Sequence, residues 1–114
     1  RKTSNLHWLP QTGIQFRMGD LRNPDSLKEF VTGLDGIIHL AGITKARKEA
    51  EYLNGNYQTT VTLVEAVRKY NPSLQRFLFA SSQAAVGPSF DGTPLTEDAA
   101  PHPISAYGRS KLAA

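Results

Sequence analysis

Tyr107 and Lys111 stand four residues apart, a spacing that puts two side chains on one face of a helix. An ammonium beside a phenol favours the phenolate. Such a pair can take a proton from an alcohol, or give one to a carbonyl, near neutral pH. Ser82 follows a short apolar run and can donate a hydrogen bond to the same substrate oxygen. The Tyr-x-x-x-Lys spacing also occurs on ordinary helix surfaces. The surrounding elements therefore have to decide whether the three residues form a site.

Those elements alternate. Residues 14–18 alternate apolar and polar and predict a short strand ended by Gly19-Asp20. Asn23-Pro24 predicts a helix start, with Asn as N-cap and Pro in the first turn. Leu27, Phe30 and Val31 share one face of that helix, and Gly33 closes it. Residues 37–40 are a short apolar run, as expected of a strand buried on both faces. The charged stretch 45–51 is expected to be exposed. A long helix is predicted over about 56–70, with Tyr57, Val61, Val64 and Val67 as its buried stripe and Asn71-Pro72 as its stop. Residues 76–80 predict the next buried strand, with Ser81-Ser82 at its carboxyl end. A Gly- and Pro-rich loop fills 87–103, and a last helix begins near Ser105. This order predicts βαβ units and a parallel sheet with helices on both faces. Ligands of such sheets bind beyond the carboxyl ends of the strands. Here those ends are Gly19-Asp20-Leu21, Leu40-Ala41-Gly42 and Ser81-Ser82.

The motifs stand in a recognisable sequence: Gly19-Asp20-Leu21-Arg22-Asn23, His39-Leu40-Ala41-Gly42, Ser81-Ser82-Gln83-Ala84-Ala85-Val86-Gly87, and the loop from Pro94-Leu95-Thr96-Glu97 to Tyr107-Gly108-Arg109-Ser110-Lys111. Together they resemble the extended short-chain dehydrogenase/reductase family, the NAD-dependent epimerase/dehydratase group. The resemblance covers nearly the whole chain. It implies an α/β, Rossmann-like parallel sheet. It also implies an NAD- or NADP-dependent oxidoreductase acting on a hydroxyl or carbonyl of a small molecule such as a nucleotide-sugar. Tyr107 would be the catalytic acid/base, Lys111 would hold the nicotinamide ribose and tune Tyr107, and Ser82 would complete the triad. Asp20 and Leu21 would contact adenine. Leu40, Ala41 and Gly42 would pass close to the cofactor. Asn56 would either contact the site or cap its helix. Arg1 would follow the second strand of the family fold, where a basic residue meets the 2′-phosphate of NADP. It is equally readable as an incidental charge. Glu97 matches a structural glutamate of the family.

Two departures stand out. Gly-x-x-Gly-x-x-Gly, which would hold a pyrophosphate at a helix N-terminus, is not in these 114 residues. Val86 stands where sugar-modifying relatives often carry the Tyr of Val-Tyr-Gly. The second departure favours the alternative of a ketone or alcohol reductase for steroid- or flavonoid-type substrates. A non-catalytic NAD(P) sensor is the remaining alternative, although such relatives usually lose the tyrosine. The chain opens on Arg1-Lys2 and stops at Ala114 inside a predicted helix. It therefore reads as the middle of a larger protein, a partial NAD(P)-binding domain over 1–114. By itself it is expected to be inactive and to expose a sheet edge prone to pairing.

Composition excludes other classes. No apolar run approaches the roughly 18–20 residues of a membrane span. The first ten residues lack a signal-peptide core. There is no cysteine, so disulfides and thiolate metal sites are excluded, and a cytoplasmic location is expected. His39 reads as a satisfied strand-end histidine and His102 as a solvent-facing loop residue, so no metal site is expected. The net charge of +3 gives no reason to expect a nucleic-acid partner. A homodimer is expected of the full-length protein.

Overall fold

The structure, a computed structural model, describes His7 and residues 13–114. Arg1 lies outside the described residues. Asn23 caps the first helical turn by accepting the Asp25 N–H, and Pro24 follows it in the position where a missing N–H costs nothing. This 3-10 turn, Pro24–Leu27, runs into α1 (Lys28–Val31). Gly33, at φ 73°, takes the left-handed conformation that closes the turn. Strand β1 (Gly36–His39) follows, then one continuous helical stretch. That stretch comprises α2 (Glu49–Tyr52), a π-helical segment (Leu53–Gln58) and α3 (Thr59–Tyr70). Strand β2 (Arg76–Phe79) pairs parallel with β1, Gly36 opposite Arg76 and His39 opposite Phe79. The short α4 (Gln83–Val86) and α5 (Ala106–Ala113) complete the order. The βαβ unit predicted from the sequence is thus present.

Leu27, Val31, Ile37, Leu63 and Ala66 form the core, where α1 and α3 meet one face of the sheet. Asn71 ends α3 and is buried. Its amide donates to the carbonyls of Val31 (2.9 Å) and Leu34 (2.8 Å), which locks the helix end to the turn after α1.

Four expectations are corrected. Residues 14–18 form no strand, because no neighbouring strand among the described residues supplies ladder hydrogen bonds. β1 is buried on one face only: Ile37 and His39 point into the core, while Ile38 is 68% exposed and Leu40 beyond it 73%. β2 is likewise open, with Leu78 and Phe77 exposed. The helix begins at Glu49 rather than near 56, and its buried stripe is only partly the valine series: Val61 and Val67 are half-buried, Val67 against the core. Tyr57 and Val64 are exposed, whereas Asn56, Thr59, Thr60, Leu63 and Ala66 are buried. Threonines tolerate burial here because each hydroxyl bonds a carbonyl of the preceding turn, Thr59 to Gly55, Thr60 to Asn56 and Thr62 to Gln58.

Candidate active site

Ser82 sits at the N-cap of α4, beyond the carboxyl end of β2, while Tyr107 and Lys111 both sit on α5. Ser82 caps α4: its hydroxyl oxygen accepts the Ala84 N–H at 3.2 Å, which leaves its own proton for another acceptor. Ser105 caps α5 by accepting the Gly108 N–H at 3.0 Å. That cap fixes where the helix starts, and hence that Tyr107 lies in its first turn and Lys111 one turn further on. Gly108 packs directly on the Ala84 carbonyl, and any β-carbon there would collide with it. Only glycine allows α4 and α5 to approach this closely, and the approach brings the segment capped by Ser82 towards the one that carries Tyr107.

Lys111 is 6% exposed. Its Nζ donates to the Ala80 carbonyl at 2.8 Å and lies 4.1 Å from the centre of the Phe79 ring. Burial lowers its pKa from the ordinary lysine value. The ammonium is thereby held at the end of β2. His39, on the neighbouring strand, is buried between Thr60, at 3.0 Å from Nε2, and the rings of Phe77 and Phe79. Burial first, and the charge of Lys111 second, lower its pKa. It is the satisfied strand-end histidine that the sequence suggests, and His102 is exposed in its loop. Among the described residues no side-chain hydrogen bond joins Ser82, Tyr107 and Lys111 to one another. Each is held separately.

The cofactor candidates gather at the other strand end. Asp20, Leu21, Ala41 and Gly42 line one cleft of about 520 Å³, together with Gly19 and Arg22. Leu40 lines an adjoining hollow of about 490 Å³, shared with Leu21 and Ala41. The Asp20 carboxylate accepts from the Arg22 backbone N–H and, on both oxygens, from its guanidinium. Ser26 ties its backbone from the other side, at 3.0 Å from the Asp20 N–H. The strand-end position, the small residues on one wall and the half-exposed carboxylate on the other fit the adenosine part of a dinucleotide.

Asn56 belongs to neither group. It does not cap its helix, because it lies inside the π-helical segment. At 1% exposure its side chain is used up within the protein. Oδ1 accepts the Ile43 N–H at 2.7 Å, and Nδ2 donates to the Ile43 carbonyl at 3.1 Å and to Ser110 Oγ at 2.9 Å. It pins the loop after β1 to the helix that carries Tyr107. Sequence reasoning passed over three residues that the structure places beside this helix. Ser110 is completely buried. Tyr52 sets its ring against that of Tyr107 in an edge-on contact, centroids 6.0 Å apart. Glu49 pairs with Arg109 through two hydrogen bonds of 2.7 and 2.8 Å. The signal for Ser110 was its place beside Lys111. Tyr52 and Glu49 carried none, since they border a charged stretch that reads as exposed loop.

This geometry, a βαβ unit with a tyrosine and a lysine one turn apart at its carboxyl end, is that of a nucleotide-cofactor α/β protein. The model of the NAD dependent epimerase/dehydratase family matches residues 1–114, and the chain belongs to that family. It is 32% identical over 108 residues to a UDP-glucose 4-epimerase of Streptomyces lividans, covering 89% of this chain and 32% of that protein. Among solved structures, RMD from Pseudomonas aeruginosa complexed with NADPH superposes with a TM-score of 0.73 at 35% identity, covering 84% of this chain and 34% of that one. A uronate dehydrogenase variant from Agrobacterium tumefaciens complexed with NAD superposes with a TM-score of 0.70 at 32% identity, over 82% and 35%. The chain spans about a third of the length of the curated relatives it matches.

Proposed function

We propose that the protein carrying this chain is an NAD(P)-dependent oxidoreductase of sugars or nucleotide-sugars, of the epimerase/dehydratase type, with Ser82, Tyr107 and Lys111 as its catalytic residues. The observation that carries the reading is the placement of Lys111: a buried ammonium, one helical turn from Tyr107, anchored at a strand end. A bound nicotinamide supplies the hydride acceptor or donor. Tyr107 Oη takes the proton of the substrate hydroxyl, or returns one to a carbonyl oxygen. Ser82, whose oxygen is engaged in capping α4, donates its proton to that same substrate oxygen and orients it. Asp20 and Leu21 on one wall, and Leu40, Ala41 and Gly42 on the other, receive the adenosine half. The fixed sites cost no reorganisation when charge develops.

The test uses the full-length protein, with UDP-galactose assayed for conversion to UDP-glucose and D-glucuronate assayed with NAD for formation of reduced cofactor. Tyr107→Phe should lower turnover by about 10²–10⁴-fold, the range for loss of a proton-transfer group. Affinity for reduced cofactor, followed by its fluorescence, should stay within about twofold because the phenol is not part of the adenosine grip. Unchanged turnover in this variant would exclude the assignment. Turnover absent from the parent protein, with cofactor still bound, would favour the sensor reading. The NADPH-bound relative supports a second reading, reduction of a ketone. Tighter binding of NADPH than NADH, together with activity on neither sugar, would favour it.

A further inference from the structure

The stretch from Glu49 to Asn56 meets α5 through three side-chain pairs in succession. Glu49 grips the Arg109 guanidinium at the outer end. Tyr52 sets its ring edge-on to Tyr107. Asn56 donates to the buried Ser110 hydroxyl at the inner end. The three pairs differ in chemistry, and the middle one is the only one that touches the proton-transferring side chain. Positions 49, 52 and 56 follow the i, i+3, i+7 spacing that shares one helix face, and the π-helical segment Leu53–Gln58 that follows Tyr52 carries Asn56 to α5. The Tyr52 hydroxyl, for its part, reaches back 3.4 Å to the Thr44 carbonyl, in the loop that follows the cofactor-lining Ala41-Gly42.

We infer that Tyr52 is a positioning residue: its ring, set edge-on to that of Tyr107, holds the Tyr107 phenol in its orientation. The inference rests on Tyr107 being the proton-transfer group, as proposed above. A ring in edge-on contact restricts its neighbour's rotation without touching the phenol oxygen. The Glu49–Arg109 and Asn56–Ser110 pairs fix the helix on either side, so what Tyr52 adds is side-chain orientation rather than helix position. Loss of the ring therefore acts on the reacting geometry and leaves cofactor binding alone.

The experiment compares Tyr52→Leu and Tyr52→Phe in the full-length protein, on UDP-galactose and D-glucuronate, with Tyr107→Phe as the reference. Tyr52→Leu is expected to lower kcat about tenfold with the KM for substrate and the Kd for reduced cofactor unchanged. Tyr52→Phe, which keeps the ring, is expected to restore kcat to within about twofold of the parent. A merely structural role would move the Tm of both variants and would not separate kcat from KM. If Tyr52→Leu turns over as the parent does while Tyr107→Phe is inactive, the positioning role is overturned and the catalytic assignment stands. If Tyr52→Phe falls as far as Tyr52→Leu, the ring contact is not the cause and the inference also fails. If Tyr107→Phe retains activity, or the parent turns over neither sugar, the inference falls together with the reading beneath it.

Discussion

The two sides of the strand-end rim are built by different means. Around α5, polar side chains are held by directional bonds: buried Asn56 to Ile43 and Ser110, buried Lys111 to the Ala80 carbonyl, and Ser105 to the Gly108 N–H at the exposed start of the helix. Around the cofactor cleft, the residues are small or exposed. On its Asp20 side the Arg22–Asp20 ion pair lies in solvent. The difference follows from what each side is proposed to do. A proton-transfer group works only within a narrow geometry, so its surroundings are fixed by directional bonds in a low-dielectric setting. A cleft that receives a flat, polar nucleotide needs room for backbone approach, and small residues with main-chain groups provide it.

Four changes test that contrast. The largest effect is expected of Lys111→Met, which removes the cation beside Tyr107 and frees the Ala80 carbonyl. Turnover of the full-length protein should fall by about a hundredfold or more, as when a proton-transfer system loses an essential member. Steady-state kinetics with a circular-dichroism check of folding decide it, and a loss confined to KM would move Lys111 from the chemistry to mere binding.

Next comes Asn56→Ala, which takes the Asn56 partner from the Ile43 N–H, the Ile43 carbonyl and the Ser110 hydroxyl, the last still donating to the Tyr107 carbonyl. Urea unfolding should show a loss of about 1–3 kcal/mol, the cost of leaving buried polar groups unpaired. A loss below about 0.5 kcal/mol, the scatter of neutral surface changes, would erase the distinction drawn between the two sides.

The third effect is in pH. His39 has its pKa lowered in the folded protein from the ordinary 6.5, by burial and then by the Lys111 charge. The unfolded chain therefore takes up a proton first as pH falls, and folded stability should decline from about pH 6.5 downward until the folded histidine also titrates. Thermal melts from pH 7.5 to 5 should show this decline, and His39→Gln should flatten it. An equal slope in the variant would place the titrating group elsewhere.

The smallest effect is expected of Arg22→Ala in the cleft. Its pair with Asp20 is exposed, and screening leaves such pairs worth little. The Tm should barely move. Stronger destabilisation than that of Asn56→Ala would invert the comparison.

Much of this was readable from residue order. Asn23-Pro24, Gly33 and Ser105 act locally, through caps and turns whose partners lie within a few residues, and the structure has them where the sequence put them. The four cleft residues Asp20, Leu21, Ala41 and Gly42 could be named from the family resemblance, and the structure does gather them along one cleft. Burial was less legible. Ile38 and Ile37 are the same residue type, side by side, yet one is exposed and one is in the core, because only one face of the strand has a helix on it. The valine stripe of α3 misled for a related reason: threonines that bond their own helix lose their polarity and compete for the inner face.

By itself, then, the sequence determined the alternation of elements, their caps and the one-turn spacing of Tyr107 and Lys111, since all three depend on neighbours along the chain. Only the tertiary structure decided that Lys111 reaches Ala80, that Asn56 serves the catalytic helix from within a π-helical turn, and that Tyr52 lies against Tyr107. Those contacts join residues 31, 54 and 55 positions apart. A pairing over such distances is set by how elements pack, which no local pattern of residue types encodes.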